Sequence, residues 1–154
     1  MNLFRGTKTG RVDDKGRLKF PSLVRQSLER EYSDFAVFIT SLDGEVAKVF
    51  PMAEWESIEA RLSQKSTESK DADGEVKDKI LFQTNRFGAE ETLDNQGRIL
   101  VPAVLRESAG MRGEVKLQWQ SNYILVLTAD RFDQVAGDKR LTAEDYRHAA
   151  NLGV

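Results

Sequence analysis

Cysteine is absent from all 154 residues, which excludes disulfides and cysteine-ligated zinc and suits a reducing compartment. Histidine is nearly absent. His148 stands alone in the polar run "EDYRHAANLGV", where it reads as a solvated surface residue. A nucleophile–histidine pair would have to be built on that one imidazole. Adjacent acids such as Asp13–Asp14 and Glu90–Glu91 alternate faces on a strand and make poor acid–base couples. Neither G-x-x-x-x-G-K-[ST] nor G-x-G-x-x-G occurs. No enzyme is expected, and no catalytic residue, metal or cofactor. Long apolar runs are missing too, since nothing approaches the roughly 20 residues of a bilayer span. The opening "MNLFRGTKTGR" has no apolar signal core, so a cytoplasmic protein without a membrane partner is expected.

Net charge is small, −2 with a pI near 5.6, which taken alone argues against a nucleic-acid partner. Its distribution argues otherwise. Residues 1–30 hold eight Lys/Arg against three acids, a balance of +5, so the remaining 124 residues carry −7. Such asymmetry places a positive face on an acidic body.

What is present is a repeat. "VDDKGRLKFP" (12–21) returns as "LDNQGRILVP" (93–102), with Asp13, Gly16, Arg17 and Pro21 answered 81 positions later by Asp94, Gly97, Arg98 and Pro102. Arg25 and Ser27 likewise return as Arg106 and Ser108, and Val12, Leu18 and Phe20 as Leu93, Ile99 and Val101. The same order of elements follows each motif. "PSLVRQSLER" (21–30) and "PAVLRESAG" (102–110) read as helices with Pro in the first helical position, the second ending at Gly110. Hairpins follow. "FAVFIT" and "EVAKVF" are joined through the Asp-Gly of "SLDG", and "VKLQW" and "YILVL" through "QSN". Each copy closes on an aromatic-bearing helix, around Trp55 and Phe132. The stretch 63–79 is polar and reads as a mobile linker or frayed helix end, with an amphipathic helix over 76–87 using Val76, Ile80, Leu81 and Phe87. Sheets this small cannot bury an apolar face alone, so the copies are expected to share one core around a pseudo-twofold axis. The expected division is 4–62, a linker 63–79, 80–137 and a C-terminal tail 138–154.

Within the motif, Asp13 and Asp94 suit the start of a tight turn, and Gly16 and Gly97 supply its left-handed residue. These four read as structural. Arg17 and Arg98 have two readings: each pairs with the Asp of its own motif, or each faces outward. In the outward reading the first turn presents Lys15 and Arg17, with Lys8 and Arg11 from the preceding strand nearby. Such a cluster neutralises phosphates, and a guanidinium can also read guanine. The second turn has Asn95 and Gln96 in place of Asp14 and Lys15, which makes the first copy the more cationic and the expected main contact surface.

These residues resemble the MraZ family, bacterial DNA-binding regulators built from two tandem AbrB-like units. The resemblance runs from "FRG" (4–6) through both motifs, "FPMAEW" (50–55) and "RFGAE" (86–90), to about Val135. It implies an α+β fold in which two swapped-hairpin units form one pseudo-twofold β-barrel with flanking helices, of the double-split β-barrel type. It further implies a closed homo-oligomeric ring (octamer or dodecamer) at the nucleoid, binding double-stranded DNA at repeated promoter boxes upstream of its own division and cell-wall operon. The family's D-x-x-x-R stretches map onto Asp13–Arg17 and Asp94–Arg98, with Lys15 and Arg17 the DNA-contacting positions the resemblance carries over; the repeat adds Arg98, and Arg11, Lys8 and Arg5 complete the candidate set. This chain departs from the pattern at "TKTGR", where Gly10 weakens a strand interior, and at "NYILVL". The alternative is a protein-binding assembly or inhibitor module of AbrB-like fold.

Overall fold

The 81-residue repeat builds the same elements twice. In the computed structural model, which describes residues 3–64 and 71–154, the first half runs β1 (Thr7–Val12), β2 (Arg17–Lys19), α1 (Ser22–Tyr32), β3 (Ala36–Ser41), β4 (Ala47–Pro51) and α2 (Met52–Ser63). Helix α3 (Asp71–Arg86) leads to β5 (Ala89–Thr92), β6 (Arg98–Leu100), α4 (Ala103–Ala109), β7 (Gly113–Gln120), β8 (Tyr123–Leu127) and α5 (Ala129–Asp138). Helix α6 (Ala143–Asn151) comes last.

The strands form one antiparallel sheet in the order β5-β3-β4-β8-β7-β1-β2-β6, and the halves trade partners within it. β1 pairs along its whole length with β7 of the other half, and β5 pairs with β3. β2 pairs with β6 and β4 with β8, so these two seams also join the halves. Exchanging β1–β4 for β5–β8 leaves the order unchanged, as a pseudo-twofold axis requires. The sheet ends, β5 and β6, belong to one hairpin, where the Asp94 amide donates to the Arg98 carbonyl at 3.1 Å. The result is a nearly closed eight-stranded barrel flanked by helices, the expected double-split architecture. Closure removes the exposed edges that a small open sheet would present.

Apolar positions of both motifs meet inside. Val12, Leu18, Phe20 and Val24 share one buried cluster with their counterparts Leu93, Ile99, Val101 and Leu105. Trp55 of the closing helix is buried against Phe38 at a ring separation of 4.5 Å. Gly10 also has a reason. A Cβ there would lie 2.9 Å from Leu117 Cδ1 and 3.1 Å from the Lys19 carbonyl, so only glycine lets β1 lie this close to its neighbours.

The motif glycines hold the two halves together. Gly16 and Gly97 adopt φ of +83° and +73°. That conformation turns each glycine carbonyl toward the other half. The Val101 amide donates to the Gly16 carbonyl and the Phe20 amide to the Gly97 carbonyl, both at 2.9 Å. Residues 20 and 101, like 16 and 97, are 81 apart, so this is one interaction made twice.

Several expectations change. Pro21 and Pro102 occupy the N-cap in extended backbone rather than the first helical position. Of the linker read over 63–79, residues 65–70 lie outside the described residues, while helix α3 already begins at Asp71 rather than Val76. Val76 is exposed and Phe87 is buried just beyond the helix end, because only the last turns of α3 approach the barrel. The tail contains helix α6, opened by a capping box in which the Thr142 hydroxyl accepts from the Asp145 amide and the Asp145 carboxylate accepts from the Thr142 amide.

Gly97→Ala is expected to destabilise by about 1–2 kcal/mol through its positive φ alone. Gly16→Ala should cost more, because its Cβ would land on the Arg106 guanidinium. In chemical denaturation of a double-mutant cycle, the excess should vanish in an Arg106→Ala background. An excess that survives there would mean that Arg106 does not pack on Gly16.

Candidate nucleic-acid interface

Each motif turn is held by its own aspartate. Asp13 Oδ1 accepts from the backbone amides of Lys15 (3.0 Å) and Arg17 (2.9 Å), and its Oδ2 accepts from Arg17 Nε at 2.8 Å. Asp94 repeats this with Gln96, Arg98 and Arg98 Nε, all at 2.9 Å. The two readings of the arginines therefore both apply in part. Nε is committed to the carboxylate, yet the Arg17 side chain keeps 35% of its surface exposed and Arg98 24%. The Arg17 amide, with its side chain and the Lys15 amide, holds the Asp13 carboxyl below its ordinary value against an opposing desolvation. The Arg98 amide leads the same effect at Asp94.

Strand register decides which cations meet. Leu18, Ile99 and Val12 point into the core, so Arg17, Lys19, Arg98 and Arg11 stand on the outer side. Arg11 is directly opposite Lys19 across β1/β2, and Lys19 directly opposite Arg98 across β2/β6. Neighbouring strands are about 4.8 Å apart, which places this three-cation row within about 10 Å. Arg17 lies two residues from Lys19 on the same side, opposite Leu100. Glu114 continues the row beyond Arg11 on β7. Like charges directly opposite one another repel, and Asp94 on Arg98 and Glu114 opposite Arg11 offset part of that repulsion.

Not every expected residue joins the row. Lys15 is exposed at the tip of the first turn, close to Arg17. Lys8 is exposed, but alternation along β1 places it on the opposite side from Arg11. Arg5 lines a separate concavity beside Leu23 and Arg30 of α1. His148 is exposed on α6.

Sequence reasoning missed Lys19, although "RLK" alternates around buried Leu18 and thereby announces two outward cations. It also gave no role to Arg25 and Arg106, whose recurrence at 81 was visible. Arg25 Nε donates to the Asp94 carbonyl at 3.0 Å and its guanidinium lies 3.9 Å from the Phe35 ring centre, while Arg106 covers Gly16. Arg25 thus braces the turn of the opposite half, and Arg106 packs over the other.

A nearly closed barrel of two interleaved halves, each carrying an aspartate-capped turn, defines the double-split β-barrel class. A family profile described as "MraZ protein, putative antitoxin-like" matches residues 3–77 and 88–152. The chain belongs to the MraZ family. A relative from Acidobacterium capsulatum named transcriptional regulator MraZ is 37% identical over 152 residues, spanning 99% of this chain and 100% of its own. One of the same name from Koribacter versatilis is 33% identical over the same shares of both chains. A third, from Syntrophobacter fumaroxidans, is 39% identical over 115 residues, 74% of this chain and 71% of its own. The role named by this family is regulatory and non-enzymatic. Among the described residues no helix is long and apolar enough to cross a membrane.

Acid should loosen the turns. With both carboxyls held below the unfolded value of about 3.9, their contribution is present above that pH and disappears as pH falls through the depressed folded values. Urea denaturation between pH 7 and pH 3 should show stability falling below about pH 4. Asp13→Asn with Asp94→Asn should flatten that part of the profile, and an unchanged acid limb would place the titrating groups elsewhere.

Proposed function

We propose that this chain is a sequence-specific, DNA-binding transcriptional regulator that works without catalysis or cofactor in the cytoplasm, associated with the nucleoid. It binds repeated promoter boxes upstream of the division and cell-wall operon that contains its own gene, as a closed ring of identical copies. The observation that carries this reading is the row of Arg11, Lys19 and Arg98, flanked by Arg17 and by Lys15 at the adjoining turn tip. Five cations close together suit the spacing of backbone phosphates, and family membership supports a regulatory outcome.

Ring assembly answers the modest charge of one subunit. Five phosphate contacts give a log–log salt slope of about −4.5 per copy, so one copy alone binds weakly at physiological salt. Copies linked in a ring engage neighbouring boxes at high effective concentration, and the product of several weak contacts becomes firm. An acidic body is tolerated because only the cationic face meets DNA.

Mobility-shift assays on the DNA immediately upstream of the gene test this reading. Arg17→Ala and Lys15→Glu should each weaken binding about tenfold or more and make it less salt-dependent, with the oligomer unchanged in size-exclusion chromatography. Arg98→Ala should cost less, because that side chain is the more covered of the pair. Unchanged affinity in Arg17→Ala would remove it from the interface, and equal losses at the two arginines would overturn the ranking of the halves.

A further inference from the structure

The two halves share a backbone but not a surface. Between each motif turn and the motif helix of the opposite half lies a concavity, about 390 Å³ beside the first turn and about 320 Å³ beside the second. The first is lined by Asp13, Asp14 and Glu107 together with Arg106 and Arg112. The second is lined by Lys19, Arg25, Gln26, Asn95 and Gln96 among others, with no carboxylate. Position by position, Asp14 corresponds to Asn95, Lys15 to Gln96 and, across the repeat, Glu107 to Gln26. Three charged side chains around one turn are three neutral amides around the other.

We propose that the second turn is the base-reading element of this regulator, with Asn95 and Gln96 recognising base edges, adenine foremost, in the DNA major groove while the cations of the first half hold phosphates. The inference rests on the DNA-binding reading above and adds a division of labour to it. The chemistry differs sharply between the two concavities. The first concavity mixes the carboxylates of Asp13, Asp14 and Glu107 with the cations of Arg106 and Arg112, and Lys15 of the same turn offers a donor without an acceptor. A carboxamide presents both in one plane, which is the pattern that pairs with adenine N6 and N7.

Position and rigidity fit this role. Lys19 lines the amide concavity and stands in the cation row, so phosphate contact and base contact adjoin. Asn95 and Gln96 are exposed, and Asp94 fixes the turn beneath them through the amides of Gln96 and Arg98. Arg25, braced on the Asp94 carbonyl, approaches Asn95 Oδ1 through Nη2 at 3.5 Å, which leaves Nδ2 and an oxygen lone pair for a base. Readout groups on such a preorganised turn lose little freedom when they engage. The two turns also stand at opposite ends of the β2/β6 ribbon, because the Phe20 amide meets Gly97 and the Val101 amide meets Gly16. Four residue steps along the ribbon, from Gly16 to Phe20 opposite Gly97, separate them by about 13 Å.

The test measures specificity separately from affinity. Fluorescence anisotropy with the full-length protein would compare the promoter fragment with a scrambled duplex of equal length over a salt series. Asn95→Ala with Gln96→Ala should lower the promoter-to-scrambled affinity ratio about ten- to hundredfold while the salt slope stays unchanged. Lys15→Gln should weaken both duplexes alike and reduce the slope by about one. Folding is controlled by a second variant, Asn95→Asp with Gln96→Lys, which copies residues that the corresponding turn of the same protein already carries. Its thermal melt should match the parent and its ratio should fall as well. An unchanged ratio in both variants, with promoter binding retained, overturns the base-reading assignment and leaves the regulator reading standing. A parent protein that binds neither duplex overturns both.

Discussion

Two backbone hydrogen bonds hold this architecture in register, from the Val101 amide to the Gly16 carbonyl and from the Phe20 amide to the Gly97 carbonyl. Both require positive φ at the glycine, which a side chain would penalise. Much of the motif serves that geometry. Asp13 and Asp94 clamp the turn from inside, Arg17 and Arg98 anchor the clamp, Arg25 braces the second turn from the opposite half, and Arg106 packs over the first. Neither half completes its sheet alone, since β1 lies on β7 and β5 on β3. The interface candidate follows from the same constraint, because the β2/β6 pairing is what sets Lys19 opposite Arg98.

The repeat was the most legible feature because it reports identity at a fixed offset and needs no threshold of propensity. From it came the shared core, with Leu18 and Ile99 or Phe20 and Val101 buried together. Helix α6 was less legible, since Ala143–Asn151 has no buried residue and its one apolar face is built from alanines and Tyr146. Only the T-x-x-D spacing of its capping box marks its start. At the site, the structure sets Lys8 and Arg5 apart from the row of Arg11, Lys19 and Arg98. Charge clustering along the chain ignores the alternation that turns Lys8 away from Arg11. Lys19 was visible in principle, but its neighbours Arg11 and Arg98 meet it only through strand pairing, which local patterns do not reveal.

Electrostatics here are local rather than global. A chain of net charge −2 can present a positive site because the row is only about 10 Å long, while acids much farther away than the Debye length of about 8 Å at physiological salt are largely screened. Arg17 and Arg98 illustrate the compromise. Each spends Nε on its own turn, which lowers its reach but fixes its guanidinium plane. Fixed planes give geometric selectivity that a mobile lysine lacks.

Joining both halves in one polypeptide has an evolutionary and informational consequence. A dimer of identical chains must mutate both tips at once, and its true dyad favours palindromic targets. Here the dyad is broken, with Asp14–Lys15 at one tip and Asn95–Gln96 at the other. The molecule therefore has a head and a tail, a polarity that a regulator of the proposed kind would carry onto sites strung in one direction along a duplex.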